Sequence, residues 1–339
     1  MTTSHETGAA LRRRTFIGRT AAVLAAPALA APTIADAQTP FLSGGSILKL
    51  ISGASPGSAS DIIGRILAQK LAPKLGVSVI VDNKAGASGI VAAQNVLASP
   101  ADGRTLFIQS GAHTITPFLT KLGFDPIKDF SGISLLAETP NVLVVPASSS
   151  FHNVKELVDA AKAQPGKLNY ASSGNGSTSH FAAEKFRLAA GIDAIHVPFK
   201  AALDAVTETA AGRVDWLFPG VISVVQLIHA GKLRALAVSS PKRSSLLPNV
   251  PTLAEAGLPA AQYLSWVGLM ARSRTPRDVI QQLHDAVASA MQSADVHERL
   301  LTVGAEPRVT TPEEFDALLR AEMTSNAAIV KAAGIARTI

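Results

Sequence analysis

The stretch LNYASSGNGSTSHFAAEKF, from Leu168 to Phe186, decides the fold of this chain. A short apolar segment leads into a turn of small residues, and the turn leads into an amphipathic helix. No side chain larger than Asn occurs between Tyr170 and His180, so the backbone N–H groups and hydroxyls of the turn are open to a ligand. Unpaired N–H groups and the positive end of a helix dipole meet there, and both favour a carboxylate or phosphate. Because small residues form tight turns in any α/β protein, a purely structural role is the alternative.

A second stretch has the same design. Residues 47–51 are apolar, and SGASPGSAS (Ser52 to Ser60) then leads into a helix whose apolar face includes Ile63 and Leu67. Two such strand–turn–helix units predict two lobes that face one cleft. In open α/β sheets, ligands bind in the crevice outside the carboxyl ends of the strands.

The composition restricts the class of protein. At 339 residues the chain exceeds the usual size of one domain, and 47% hydrophobic with 17% charged residues excludes disorder and suits buried parallel strands. Only 5% of the residues are aromatic and no Lys/Arg run occurs downstream of the N-terminus, so nucleic acid is not an expected partner. The chain has no cysteine, which excludes disulfides and thiolate chemistry.

Residues 1–37 are predicted to be an export signal. Arg13-Arg14-Thr15-Phe16-Ile17 is a twin-arginine pattern, and Ala35-Asp36-Ala37 fits an A-x-A cleavage site. The alternative, a membrane anchor, is disfavoured because the apolar run is too short and contains Pro27. Removing four arginines and two acidic residues leaves 27 basic and 23 acidic residues, a net charge of +4. The mature protein is expected to be soluble and periplasmic.

Downstream of residue 47, apolar segments typical of strands alternate with helical patterns, which predicts mostly parallel sheets with helices on both faces. A Pro-rich stretch from Pro241 to Pro259 separates the second lobe from an apolar segment that begins at Trp266. We therefore predict one lobe made of residues 40–145 plus 266–339, another made of residues 146–265, and a ligand cleft between them.

Several motifs together resemble the Bug family, the periplasmic solute-binding proteins of tripartite tricarboxylate transporters. They are Pro56-Gly57 with Asp61 and Arg65, Val81-Asp82-Asn83-Lys84 followed by Gly86-Ala87-Ser88-Gly89, Pro100-Ala101-Asp102-Gly103, Tyr170 to Gly176, His196-Val197-Pro198-Phe199, Ala230 to Ala237, and Pro251-Thr252 with Glu255-Ala256-Gly257. The resemblance covers nearly all of the mature chain.

The resemblance implies a two-lobe periplasmic-binding-protein fold, type II-like, that closes on a small organic carboxylate and delivers it to a membrane permease. It also implies that one ligand carboxylate is held by main-chain and hydroxyl groups of the two loops, with Asp61 organising a bridging water. No cofactor or metal is expected, and the protein is expected to act as a monomer.

The candidate ligand-binding residues come from the two loops and from the strand ends. They are Ser55, Pro56, Gly57, Ser58, Asp61, Ser110, His113, Ser172, Asn175, Gly176, Ser177, Thr178, His180, Phe199, Lys200 and Asp204. Each hydroxyl has the alternative of capping its own helix, and Asp61 has the alternative of an i,i+4 pair with Arg65. The two histidines have the alternative of a positioning role. Lys200 is either a counter-charge for the ligand or a surface lysine.

The chain departs from the family pattern after Lys200, where the family usually continues Gly-Gly-x-Pro and this sequence has Ala201-Ala202-Leu203-Asp204. Asp204 either caps the following helix or faces the cleft. If it faces the cleft, it repels a second carboxylate. The resulting hypothesis is a ligand with one carboxylate and a neutral or cationic far end, rather than a citrate-like tricarboxylate.

Two other functions are compatible with the sequence. Gly53-Ala54-Ser55-Pro56-Gly57 matches G-x-S-x-G between a strand and a helix, the context of a serine-hydrolase nucleophile. In α/β-hydrolases, however, several strands normally precede that motif, so hydrolysis is the weaker hypothesis. The other alternative is a ligand-loaded messenger to a sensor kinase.

Overall fold

A computed structural model describes residue 42 and residues 45–335 of the chain. The predicted signal, residues 1–37, lies outside the described residues, and its twin-arginine pattern and cleavage site remain predictions. Within the described ranges, no helix combines the length and apolar character needed to cross a bilayer.

The first lobe is built on a mixed sheet with the strand order β11-β4-β10-β3-β1-β2. Its strands are β1 (Ile47–Ser52), β2 (Ser78–Asn83), β3 (Thr105–Ser110), β4 (Phe130–Pro140), β10 (Leu264–Arg272) and β11 (Glu306–Pro307). The pairs β1·β2 and β1·β3 are parallel, whereas β10 runs antiparallel to both β3 and β4. Its helices are α1 (Ala59–Leu75), α2 (Ile90–Ala98), α3 (Ala112–Leu119), α8 (Arg277–Met291), α9 (Ala294–Thr302) and α10 (Pro312–Ala333).

The second lobe is built on a sheet with the strand order β7-β6-β8-β5-β9. Its strands are β5 (Val142–Pro146), β6 (Asn169–Ser172), β7 (Ile195–Pro198), β8 (Trp216–Leu217) and β9 (Leu233–Val238). Its helices are α4 (Val154–Ala163), α5 (Thr178–Ala190), α6 (Ala202–Ala210) and α7 (Val221–His229). Strand β6 is parallel to β7 and β8, and β5 is antiparallel to β8 and β9.

The chain crosses between the sheets after β4 and again after β9. Strand β5 belongs to the second sheet, so the first crossing lies at Asn141 rather than at the predicted boundary of 145 and 146. Residues 130–146 are extended and mostly buried, and Asn141 is the single residue between β4 and β5. The sequence therefore gives no local sign that the chain passes from one sheet to the other here. The crossing strands β5 and β10 also make both sheets mixed, not mostly parallel, because each runs opposite to its neighbours.

Local sequence explains where the helices begin and end. Ser58 and Ser177 are the N-caps of α1 and α5, and Gly76 and Gly191 end these helices in the left-handed region. Helix α10 begins with a reciprocal capping box between Thr311 and Glu314. Caps of this kind fix the start of α1 and α5 at the carboxyl ends of β1 and β6.

Candidate functional site

A cavity of about 210 Å³ lies where the loops of the two sheets meet. It is lined by loops that follow β1, β2, β3, β6, β7 and β8, and by residues at the two strand crossings. This is the crevice outside the carboxyl ends of the strands in which α/β proteins bind ligands. The predicted cleft position therefore agrees with the geometry of the described residues.

Some predicted site residues line the cavity and others do not. Those that line it are Ser55, Ser58, Ser110, Ser177, Thr178 and Lys200. Those absent from the lining are Pro56, Gly57, Asp61, His113, Ser172, Asn175, Gly176, His180, Phe199 and Asp204. Most of the predicted hydroxyl-bearing residues therefore line the cavity, whereas Lys200 is the only predicted charged residue that does.

The start of α1 is held by Asp61 from outside the cavity. Its carboxylate accepts the Gly57 N–H at 3.0 Å and the Arg65 Nε–H at 2.9 Å, while its own N–H donates to Ser58 Oγ at 3.4 Å. Burial alone would raise the pKa of Asp61, but bonds from Arg65, Gly57 and Asn83 lower it below its usual value. Asp61 is therefore a structural carboxylate that shapes the first loop, as the i,i+4 alternative proposed.

The start of α5 is organised by Ser177. Its Oγ accepts the His180 N–H at 3.2 Å and donates to the Gly174 carbonyl at 2.7 Å. The Ser177 hydroxyl thus caps its own helix, which is the alternative role predicted from the sequence. Ser177 also lines the cavity. Ser173 and Ser179, which sequence reasoning did not select, also line it and bond to each other.

Two stacked imidazoles support this loop from behind. His180 Nδ1 accepts the Gly176 N–H at 3.3 Å, and His196 Nε2 bonds to Ser172 Oγ at 2.6 Å. The two rings lie 4.0 Å apart and nearly parallel. Burial lowers the pKa of His180 to about 4, and burial together with His180 lowers the pKa of His196 to about 3. His180 is therefore a positioning residue rather than a cleft-facing one.

His113 also points away from the cavity. Its Nε2 donates to the Pro126 carbonyl at 2.8 Å, and its ring packs against Phe107 and Phe130. Burial lowers its pKa to about 4, so the ring is neutral near pH 7. Its place in the core follows from α3, a helix that the sequence analysis did not predict.

The starts of α6 and α7 also border the cavity. Their N-caps, Ala201 and Gly220, line the cavity and offer no side-chain cap, so the first-turn N–H groups have no side-chain acceptor. Lys200 lies beside them, and among the described lining residues it is the only one with a charged side chain. The site therefore carries positive potential from helix ends and one cation, and no carboxylate belongs to the described part of the cavity lining.

Asp204 lies outside this arrangement. It is exposed in the first turn of α6 and neither caps the helix nor lines the cavity. The structure gives no support to the hypothesis that Asp204 faces the cleft, because Ala201 takes the N-cap position and the exposed Asp204 is absent from the cavity lining. The argument for a neutral or cationic far end of the ligand loses its basis.

Several residues of the site were not selected from the sequence as ligand-binding candidates. The turn Gly86-Ala87-Ser88 and the side chain of Gln109 line the cavity from the first lobe. Thr139, Asn141 and Ser265 line it at the crossings, where Ser265 Oγ donates to Asn141 Oδ1 at 2.5 Å. Asn141 and Ser265 are 124 residues apart, so only the folded topology brings them together.

The G-x-S-x-G motif lacks the partners of a catalytic serine. Ser55 lines the cavity, but within residues 45–335 no histidine bonds to its hydroxyl, and His113 and His180 are committed to other partners. A serine nucleophile requires a base within hydrogen-bond reach. The geometry therefore gives the hydrolase alternative no support.

Comparison with known proteins identifies the family. Residues 63–335 match the sequence model of the tripartite tricarboxylate transporter family receptor. The chain belongs to this receptor family. BugT of Bordetella pertussis is 31% identical over 290 residues, which are 85% of this chain and 89% of BugT. The resemblance to Bug proteins is thereby confirmed.

Solved structures agree with the receptor fold. Rpa4515 of R. palustris, determined with adipate, is 32% identical with a TM-score of 0.82 and covers 86% of this chain and 99% of its own. MatC from Rhodopseudomonas palustris, with bound malate, is 28% identical with a TM-score of 0.77 over 84% of this chain and 99% of its own. The receptor family consists of periplasmic solute-binding proteins rather than enzymes.

Proposed function

We propose that this receptor captures a linear dicarboxylate by closure of its two lobes and delivers it to the membrane subunits of a tripartite tricarboxylate transporter. The observation that carries the proposal is the pair of anion-favouring regions on the cavity. One consists of the loops at the starts of α1 and α5, and the other consists of Lys200 with the uncapped starts of α6 and α7.

Part of the cavity wall is apolar. Ala205, Leu217, Pro219 and Ile222 line it, which suits the methylene chain of a dicarboxylate. Two relatives, Rpa4515 and MatC, hold the dicarboxylates adipate and malate. A helix end contributes roughly 0.3–2 kcal/mol to binding an anion, whereas micromolar affinity requires about 8 kcal/mol. Several donors from both lobes must therefore act together, which requires closure.

Calorimetry and thermal shift test the ligand class. The series is adipate, malate, citrate, hexanoate and adipamic acid, in which one carboxylate of adipate is an amide. We expect a dicarboxylate to bind at least about tenfold more tightly than hexanoate, and a ligand at 100 times Kd to add about 2.7 kcal/mol of stability. Equal affinity for hexanoate and adipate would contradict the second anion region. No stabilisation by any carboxylate would contradict the proposed function.

Export and delivery complete the proposal. Residues 1–37 would direct the chain to the periplasm and would be removed after Ala37. The N-terminus of the protein recovered from a periplasmic fraction should then begin at Gln38 by mass spectrometry. Delivery predicts that deletion of the gene abolishes uptake of the dicarboxylate, and normal uptake would favour the messenger role instead.

A further inference from the structure

A hydrogen bond joins the two lobes beside the cavity. Ser88 Oγ, in the turn after β2, donates to the main-chain carbonyl oxygen of Asn175, in the loop after β6, at 2.8 Å. Ser88 lines the cavity, as do Ser173 and Ser177 on either side of Asn175. Because the partners belong to different sheets, this bond exists only while the two loops are together.

The first lobe fixes Ser88 in place through Gln109. The buried Gln109 side chain donates from Nε2 to the Ser88 carbonyl at 3.2 Å and accepts the Ser110 N–H at 2.9 Å. A Cβ atom at Gly89 would lie 1.7 Å from Gln109 Nε2, so the backbone of the turn is packed directly on this amide. The Ser88 hydroxyl is therefore presented to the second lobe from a rigid support.

The backbone of the turn has an unusual conformation that directs this hydroxyl. Ala87 has φ 45° and Ser88 has φ 54°, and within residues 45–335 these are the two non-glycine residues with positive φ. Residues with a Cβ rarely adopt this region, and such conformations persist where the surrounding structure enforces them. Here the support from Gln109 and the bond to Asn175 enforce it from opposite lobes.

We propose that Ser88 is a positioning residue for ligand capture, whose hydroxyl stabilises the closed arrangement of the lobes by bonding to the Asn175 carbonyl. The residue acts on the open–closed equilibrium of the receptor itself, and so lengthens the residence of any ligand. This inference rests on the closure that is part of the proposed function.

Distance measurement between spin labels tests the inference without a ligand. The chain has no cysteine, so Gln94→Cys on α2 and Leu203→Cys on α6 give a specific pair of exposed labels in opposite lobes. Unliganded wild type should show two distances. Ser88→Ala should lower the closed-to-open ratio by about two- to tenfold, the value of one net hydrogen bond.

Two glycine variants separate the hydroxyl from the flexibility of the turn. Ser88→Gly should lower the ratio as Ser88→Ala does, although it relieves the positive φ and should not lower the melting temperature. Ala87→Gly relieves the neighbouring positive φ and keeps the hydroxyl, so it should lower the ratio less than Ser88→Ala does.

Three results would overturn the inference. They are an unchanged ratio in Ser88→Ala, an equal fall in Ala87→Gly, or a single distance in wild type with and without adipate. The last would also contradict lobe closure. If instead no carboxylate binds while the ratio responds to Ser88→Ala, the proposed ligand class fails and the role of Ser88 stands.

Discussion

Lys200 is the residue on which the ligand class depends most directly. Its exposed ammonium has no partner among the described side chains and lies on the cavity lining beside the uncapped start of α6. We expect Lys200→Gln to weaken adipate binding roughly tenfold, because a charge-assisted bond to the second carboxylate is lost, and to leave hexanoate binding nearly unchanged.

Asp204→Asn is the matched control for this measurement by calorimetry. It changes a charge four residues away that lies outside the lining, so it should not alter the affinity for either ligand. A gain in adipate affinity in Asp204→Asn, or an equal loss for both ligands in Lys200→Gln, would contradict the assignment.

Ser177 stabilises both the start of α5 and the binding loop that precedes it. Ser177→Ala removes the N-cap of α5 and the bond to the Gly174 carbonyl, so the free energy of unfolding should fall by about 1 kcal/mol. Ser177→Thr keeps a capping oxygen and should recover most of this loss. Urea unfolding measures both variants, and an unchanged midpoint for Ser177→Ala would show that the cap contributes nothing.

At the scale of single residues, the sequence could predict roles that depend on residues close by in the chain. The hydroxyls of Ser58 and Ser177 were found because N-caps are read from neighbouring residues. Gln109 could not be found, because its role depends on Gly53 and Gly89, which contact it from the segments after β1 and β2. Asn141 was missed for the same reason, since Ser239 and Ser265 are its partners.

At the scale of elements, α3 and α5 each contain a buried neutral histidine, His113 and His180. In the unfolded chain a histidine titrates near pH 6.5, whereas burial lowers the pKa values of His113 and His180 to about 4 in the folded protein. The unfolded state therefore binds more protons between these values. The associated stability is fully present above about pH 6.5 and is lost as the pH falls toward about 4.

This linkage predicts that the free energy of unfolding falls by about 1.4 kcal/mol per pH unit for each such histidine in that window. Urea unfolding at pH 7, 6 and 5 measures the slope. Proton NMR of the imidazole resonances provides the independent check. Titration of His113 and His180 near pH 6.5 in the folded protein would refute the explanation.

Most elements were predictable because their periodicity and caps are local, as the capping box at Thr311 and Glu314 illustrates. Helix α3 was missed because its apolar sequence AHTITPFL contains Pro117 and β-branched residues, which are poor helix formers. Its burial between the first sheet and α10 overrides this propensity. The predicted boundary between the lobes was displaced from the β4–β5 crossing because β4 is mostly buried and β5 is fully buried, so the burial pattern does not change at the crossing.

At the scale of the whole molecule, the prediction is hinged compaction. The two lobes are connected by the crossings at Asn141 and between β9 and β10, and Phe181 of α5 packs against Ile115 and Leu119 of α3. Small-angle scattering should show a smaller radius of gyration with saturating adipate than without ligand. An unchanged radius with a calorimetrically proven ligand would count against hinge closure.

The two crossings have a consequence for how such receptors diversify. The Asn141 carbonyl accepts the Ser239 N–H at 2.8 Å, so the segment 142–238 leaves the first lobe and returns to it at nearly the same point. A chain segment whose two ends lie next to each other can be replaced by the equivalent segment of a related protein. The new segment needs to fit the first lobe at only two adjacent connections. Recombination between receptor genes could therefore pair one anion-binding loop with a different opposite wall. New ligand preferences would then arise by inheriting half a binding site intact, without stepwise mutation of its residues.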